Sequence, residues 1–171
     1  MIKYLVVFLF MIFANNLQAN VGLDYVRQNY DKAVEDETLT EKLLEYIKVN
    51  KLTTASGFAY RGALEALQAK HESNPFKKLE YVKISQATFE KAALAAPENI
   101  DVRIFRFMIE SKMPSYLGYN KHITDDKNKI IALLEDEKTK LDTYQKNYLY
   151  HITKICKLSN TEKNIILKHS K

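Results

Sequence analysis

Apolar residues recur along the chain at helical spacing, and the breaks between them carry turn chemistry. Between 21 and 34, Leu23, Val26, Tyr30 and Val34 form a three-to-four-residue stripe that predicts a helix. Thr38 with Glu41 three residues later resembles a capping box, and Leu43, Leu44 and Ile47 follow it. A third helix is predicted to start at Thr53 or Thr54 and run to about His71. Its Gly57, Ala59, Gly62, Ala63 and Ala66 are small and let a neighbouring helix approach closely. Asn74-Pro75 ends that helix and opens a fourth, 75–95, because the residue before proline avoids the α region.

Pro97-Glu-Asn99 is the next break. The fifth helix, 100–111, is apolar on nearly every side, with Val102, Ile104, Phe105, Phe107, Met108 and Ile109. It is therefore predicted to be central and covered. A turn at 113–118 leads to a sixth helix opened by Thr124-Asp125-Asp126, acids that suit a helix N-terminus. A seventh covers about 141–157, and Ser159 with Glu162 caps a short eighth. The expected architecture is all-α, of about seven to eight helices in antiparallel hairpins, as one domain over 20–171.

Helix pairs of this length suggest degenerate repeats. Phe89-Glu-Lys-Ala92, with Ser85 before it and Pro97 after it, resembles the second helix of a tetratricopeptide repeat. Asn74-Pro75 and Arg106 depart from that pattern. A wider set of residues is Gly62-Ala63, Ala69-Lys-His71, Asn74-Pro75, Lys78-Leu79-x-Tyr81, Pro97-x-Asn99, Arg103-x-x-Arg106, Leu117-Gly118-Tyr119 and Asp126-Lys127. Together they resemble an uncharacterised family of small exported, tetratricopeptide-like helical proteins of Bacteroidetes-type bacteria. The resemblance implies a fold and a compartment, and no activity.

The N-terminus points to the same compartment. Lys3 is followed by 11 apolar residues, Tyr4 to Ala14, and then by a polar stretch ending in Ala19-Asn20. This is the layout of a signal peptide over 1–19. The run is shorter than the ~20 residues a spanning helix needs. The expectation is an exported protein, periplasmic or extracellular, with no membrane span after cleavage.

Charge is uneven. Residues 20–137 hold 17 Lys+Arg and 19 Asp+Glu, whereas 138–171 hold eight lysines against Asp142 and Glu162. The basic C-terminal part lacks arginine, so it reads as a solubilising face and not as a nucleic-acid site. The one cysteine, Cys156, has no internal partner and reads as a small buried hydrophobe.

Catalytic devices are absent from the sequence. His71-Glu72 lacks the second histidine of a metalloprotease helix, and there is no nucleophile elbow or phosphate loop. His122 with Asp125 and Asp126 falls short of a metal-ligand set, so neither metal nor cofactor is expected.

Arg103 and Arg106 are unusual, lying three apart on the most apolar helix, where unpaired charge is costly. Two readings follow. In one they pair internally with Glu110 or Glu65, or with carbonyls of 114–119. In the other they join Lys70, His71 and Asn74 around a cleft for an acidic group, suited to the planar guanidinium fork. The sequence thus favours a non-catalytic binding or adaptor module with a protein or peptide partner. An enzyme around His71, Arg103 and Arg106, or a small-ligand carrier using Tyr144, Tyr148 and Tyr150, stands as the alternative.

Overall fold

The computed structural model describes residues 22–171, so the proposed signal segment lies outside the described residues. Eight α-helices and no strand occur among these residues. They are α1 (22–33), α2 (Glu37–Val49), α3 (Ala55–His71), α4 (Pro75–Ala95), α5 (Ile100–Lys112), α6 (Ile123–Glu135), α7 (Thr143–Ile155) and α8 (Asn160–His169). A single 3₁₀ turn, Ser115–Leu117, separates α5 from α6 and closes on Gly118, whose φ of 68° is left-handed.

Most boundaries follow local capping chemistry. Thr54, Asn74, Asn99 and Ser159 each accept backbone N–H bonds at the start of α3, α4, α5 and α8. Three ends differ from expectation. Asp36, not Thr38, caps α2, accepting from the Leu39 N–H at 2.9 Å. Thr40, fully buried in the first turn, donates to the Ala33 carbonyl at 2.8 Å. Asp142 caps α7 in a reciprocal box with Gln145, so the helix begins at Thr143 and Cys156 falls just past its end. No side chain caps α6: His122 holds the cap position, and Asp125 and Asp126 lie inside the first turn, bonded to Arg103.

The α3–α4 hairpin is the most intimate pairing. A Cβ on Gly62 would sit 3.0 Å from the Phe89 ring, and the Ser85 hydroxyl donates to the Gly62 carbonyl at 2.7 Å. Ser85, Phe89 and Ala92 are all buried, the positions on which the repeat-like reading rested. α5 lies at the centre, and every residue from Ile100 to Phe107 is buried. Around it one continuous core joins all eight helices, from Val26 in α1 to Ile166 in α8. Four rings, Tyr30, Tyr60, Phe105 and Tyr148, pack mostly edge to face at its middle, with centroids 4.7–6.2 Å apart. No described helix is long and apolar enough to cross a membrane.

Candidate functional site

The five residues proposed for an acidic-group cleft do not form one site. Arg103 and Arg106 face the start of α6. Arg103 Nε donates to the Pro97 carbonyl at 2.9 Å, and its Nη1 donates to Asp126 at 2.7 Å and Asp125 at 2.8 Å. Arg106 grips Asp126 bidentately through Nε and Nη2, both at 2.6 Å. Asp126 is fully buried and receives both guanidinium groups. Burial disfavours charge on Arg106, but Asp126, with Glu110 and Asp125, outweighs it and holds the group above its ordinary value. The pairing partners differ from those expected: Glu110 accepts instead from the His122 backbone N–H at 2.8 Å and contacts His122 Nδ1 at 2.7 Å. Glu65 is taken by Arg61 and by the Thr88 hydroxyl.

Lys70, His71 and Asn74 serve the other end of the α3–α4 hairpin. Lys70 Nζ donates to the Val34 carbonyl at 2.6 Å and to Glu35 at 2.7 Å, and the Glu35 carboxyl is held below its usual range by that bond. His71 Nε2 lies 3.2 Å from the Ala33 carbonyl. Asn74 Oδ1 accepts from the Phe76 and Lys77 N–H groups as the α4 cap. Lys70 and His71 close the C-terminus of α1 onto the hairpin and Asn74 caps α4, while Arg103 and Arg106 hold α6 onto α5. Internal carboxylates and carbonyls thus engage Arg103, Arg106 and Lys70.

One polar cluster had no sequence signal. Arg27 of α1 reaches Asp101 of α5 at 3.4 Å and Asp142 at the α7 cap at 3.1 Å, and its guanidinium lies over the Tyr60 and Tyr144 rings. Burial works against its charge, yet Asp101 and Asp142 together hold it above its ordinary value. Residues 74 and 115 positions apart meet here, which no local pattern announces.

A concave feature lies elsewhere. A groove of about 980 Å³ opens between α1, α3, α4, α5 and α7. Its floor is core: Tyr30, Ala63, Leu67, Val82 and Tyr148 are buried yet line it. Ala63, Ala66 and Ala69 of α3 leave the space that larger side chains would fill. Gly62 of the same small-residue set admits Phe89, so that set divides between helix packing and an open cavity. Met108, Ile109 and Met113 form one wall, and Ile155 of α7 another. Lys70, Lys78 and Lys112 stand among the lining residues with Asp31, Glu35 and His151. Of the five proposed site residues only Lys70 lines the groove. The tyrosine set of the C-terminal helices separates: Tyr148 enters the floor, Tyr144 meets Arg27, and Tyr150 is exposed with Lys154 4.9 Å from its ring centre.

Exposed aromatics flank the groove. Tyr116 and the lining Leu117 belong to the 3₁₀ turn, and Phe76 follows the lining Pro75. Burial pushes the Cys156 thiol up from its ordinary value, which disfavours the nucleophilic thiolate. Among the described residues no three His, Cys, Asp or Glu side chains gather as metal donors. No protein-family model, no curated protein and no solved structure matches the chain.

Proposed function

We propose that the chain is a non-catalytic binding protein of the bacterial cell envelope, exported on residues 1–19, whose binding site is the groove between α1, α3, α4, α5 and α7. The observation that carries this reading is the groove itself. A cavity of about 980 Å³ lies near the upper end of the 300–1,000 Å³ range of ligand sites, and its floor is built from core side chains. Such apolar surface, left in contact with water, costs about 25 cal/mol per Å² relative to burial, so an apolar occupant gains by entering. The two guanidinium groups that suggested an anion site, Arg103 and Arg106, make their bonds inside the fold.

Photo-crosslinking in intact envelopes tests both parts. Benzoylphenylalanine replacing Leu79, which lines the groove, should yield a crosslinked species that the same group at exposed Leu94 does not. The crosslinked protein should fractionate outside the cytoplasm and lack residues 1–19. Absence of a crosslink at 79, or equal crosslinking at 79 and 94, sinks the groove. An uncleaved cytoplasmic chain sinks the export.

A further inference from the structure

We infer that the occupant of this groove is a single-chain anionic amphiphile, an acyl or alkyl chain bearing one carboxylate or phosphate; this rests on the groove being the binding site. Three observations carry the inference. The first is depth. The floor reaches Ala63, Tyr30 and Tyr148, residues of the central core, through a gap left by Ala63, Ala66 and Ala69. A thin, flexible chain fits such a gap. An amphipathic helix, about 10–12 Å across with its side chains, would lie over the opening and leave the floor empty.

The second is the wall. Met108 and Met113 are unbranched and polarisable, and they adapt to a chain that has no fixed shape. Val82, Ile109 and Ile155 complete an apolar lining.

The third is charge. The lysine ion pairs among the described residues use Lys48, Lys70, Lys127 and Lys129. Lys78 and Lys112 line the groove without a carboxylate partner, and both are exposed. Long lysine stems lie along apolar surface while the ammonium groups stay in water, the arrangement that meets an anionic head at the mouth. Lys78 also sits in the first turn of the 21-residue α4, whose N-terminal end adds positive potential. Of the lining acids, Glu35 is already paired with Lys70, and Asp31 lies 3.4 Å from the Tyr148 hydroxyl. Asp31 keeps its charge beside that neutral hydroxyl, so three lysines against two carboxylates leave a net charge of +1 on the lining.

Displacement of dansyl-undecanoate from the purified protein tests the inference, with all amphiphiles kept below their micelle concentrations. Dodecanoate and dodecyl phosphate should both displace the probe, and whichever binds more tightly identifies the head group. Uncharged dodecyl maltoside should bind about tenfold more weakly or worse. The double variant Lys78→Glu, Lys112→Glu changes exposed residues only. It should keep the wild-type helical circular dichroism and lose about tenfold or more in affinity for both acids, because two favourable contacts become repulsive. Ala66→Phe, which fills the gap, should abolish displacement by all three.

Equal affinity for dodecanoate and dodecyl maltoside, or an unchanged affinity in the double variant, overturns the anionic head group while leaving the groove in place. Unchanged binding in a folded Ala66→Phe variant overturns the groove itself. Failure of dansyl-undecanoate itself to bind overturns the amphiphile, and titration calorimetry showing that an acidic amphipathic peptide binds instead replaces it with a protein partner.

Discussion

Asp126 shows how a residue can be legible and still be misread. Its position at the start of α6 satisfies helix-end electrostatics, so the sequence offers a sufficient local reason for it. Its full burial between Arg103 and Arg106 is a stronger reason that acts across the chain. Two guanidinium groups taken out of water are tolerable only with that carboxylate present. Asp126→Asn should therefore lower the stability by about 3–5 kcal/mol in urea unfolding. The neighbouring Asp125→Asn should cost less than about 1 kcal/mol, since the Asp125 side chain is 67% exposed and its contact is screened by water. Equal effects of the two substitutions would refute the central role of Asp126. That Arg103 and Arg106 need partners was visible from their place on an apolar helix; which acid supplies them depends on the 113–122 turn, whose path no periodicity specifies.

Among the elements, α3 carries two kinds of small residue that look alike in the sequence. Gly57 and Gly62 are contact points: a Cβ on Gly57 would collide with the Leu52 backbone carbonyl, and one on Gly62 would press on Phe89. Alanine in place of a helical glycine ordinarily stabilises by roughly 0.5–1 kcal/mol. At Gly57 the sign should reverse, with Gly57→Ala destabilising by about 1–3 kcal/mol in thermal or urea unfolding, because backbone cannot yield as a side chain can. A stabilised Gly57→Ala variant would show that the 50–54 turn moves freely.

α8 is held more lightly. Glu162, which completes the capping box with Ser159, also meets Lys127 of α6 at 2.7 Å, and that contact, followed by the Ser159 N–H, holds its carboxyl below the ordinary value of 4.5. A carboxyl depressed on folding stabilises above its unfolded pKa, and the contribution disappears as pH falls through the lower folded value. Wild type should thus melt higher than Glu162→Gln at about pH 7, and the gap should narrow as pH falls below the ordinary carboxylate range. A gap that persists in acid would assign the effect to packing.

At the scale of the whole molecule, the core is continuous from α1 to α8, and α5 is buried from Ile100 to Phe107. A chain of this kind unfolds as one unit. Far-ultraviolet circular dichroism and tyrosine fluorescence should report a single coincident urea transition; the chain has 11 tyrosines and no tryptophan. Two separated transitions would divide the domain, most simply at 136–142.

What the sequence determined by itself is local. The all-α class, nearly every helix and the buried face of α5 follow from apolar period, proline placement and the caps at Thr54, Asn74, Asn99 and Ser159, all of which act within one or two turns. Tertiary structure alone decided three things: that Arg27 joins Asp101 and Asp142, that Asp126 neutralises two arginines, and that Ala63, Ala66 and Ala69 border a cavity while Gly62 borders a ring. The reason is physical. A helix records in its own residues which face is apolar, but whether that face meets a side chain or empty space depends on the crossing of helices far apart in the chain.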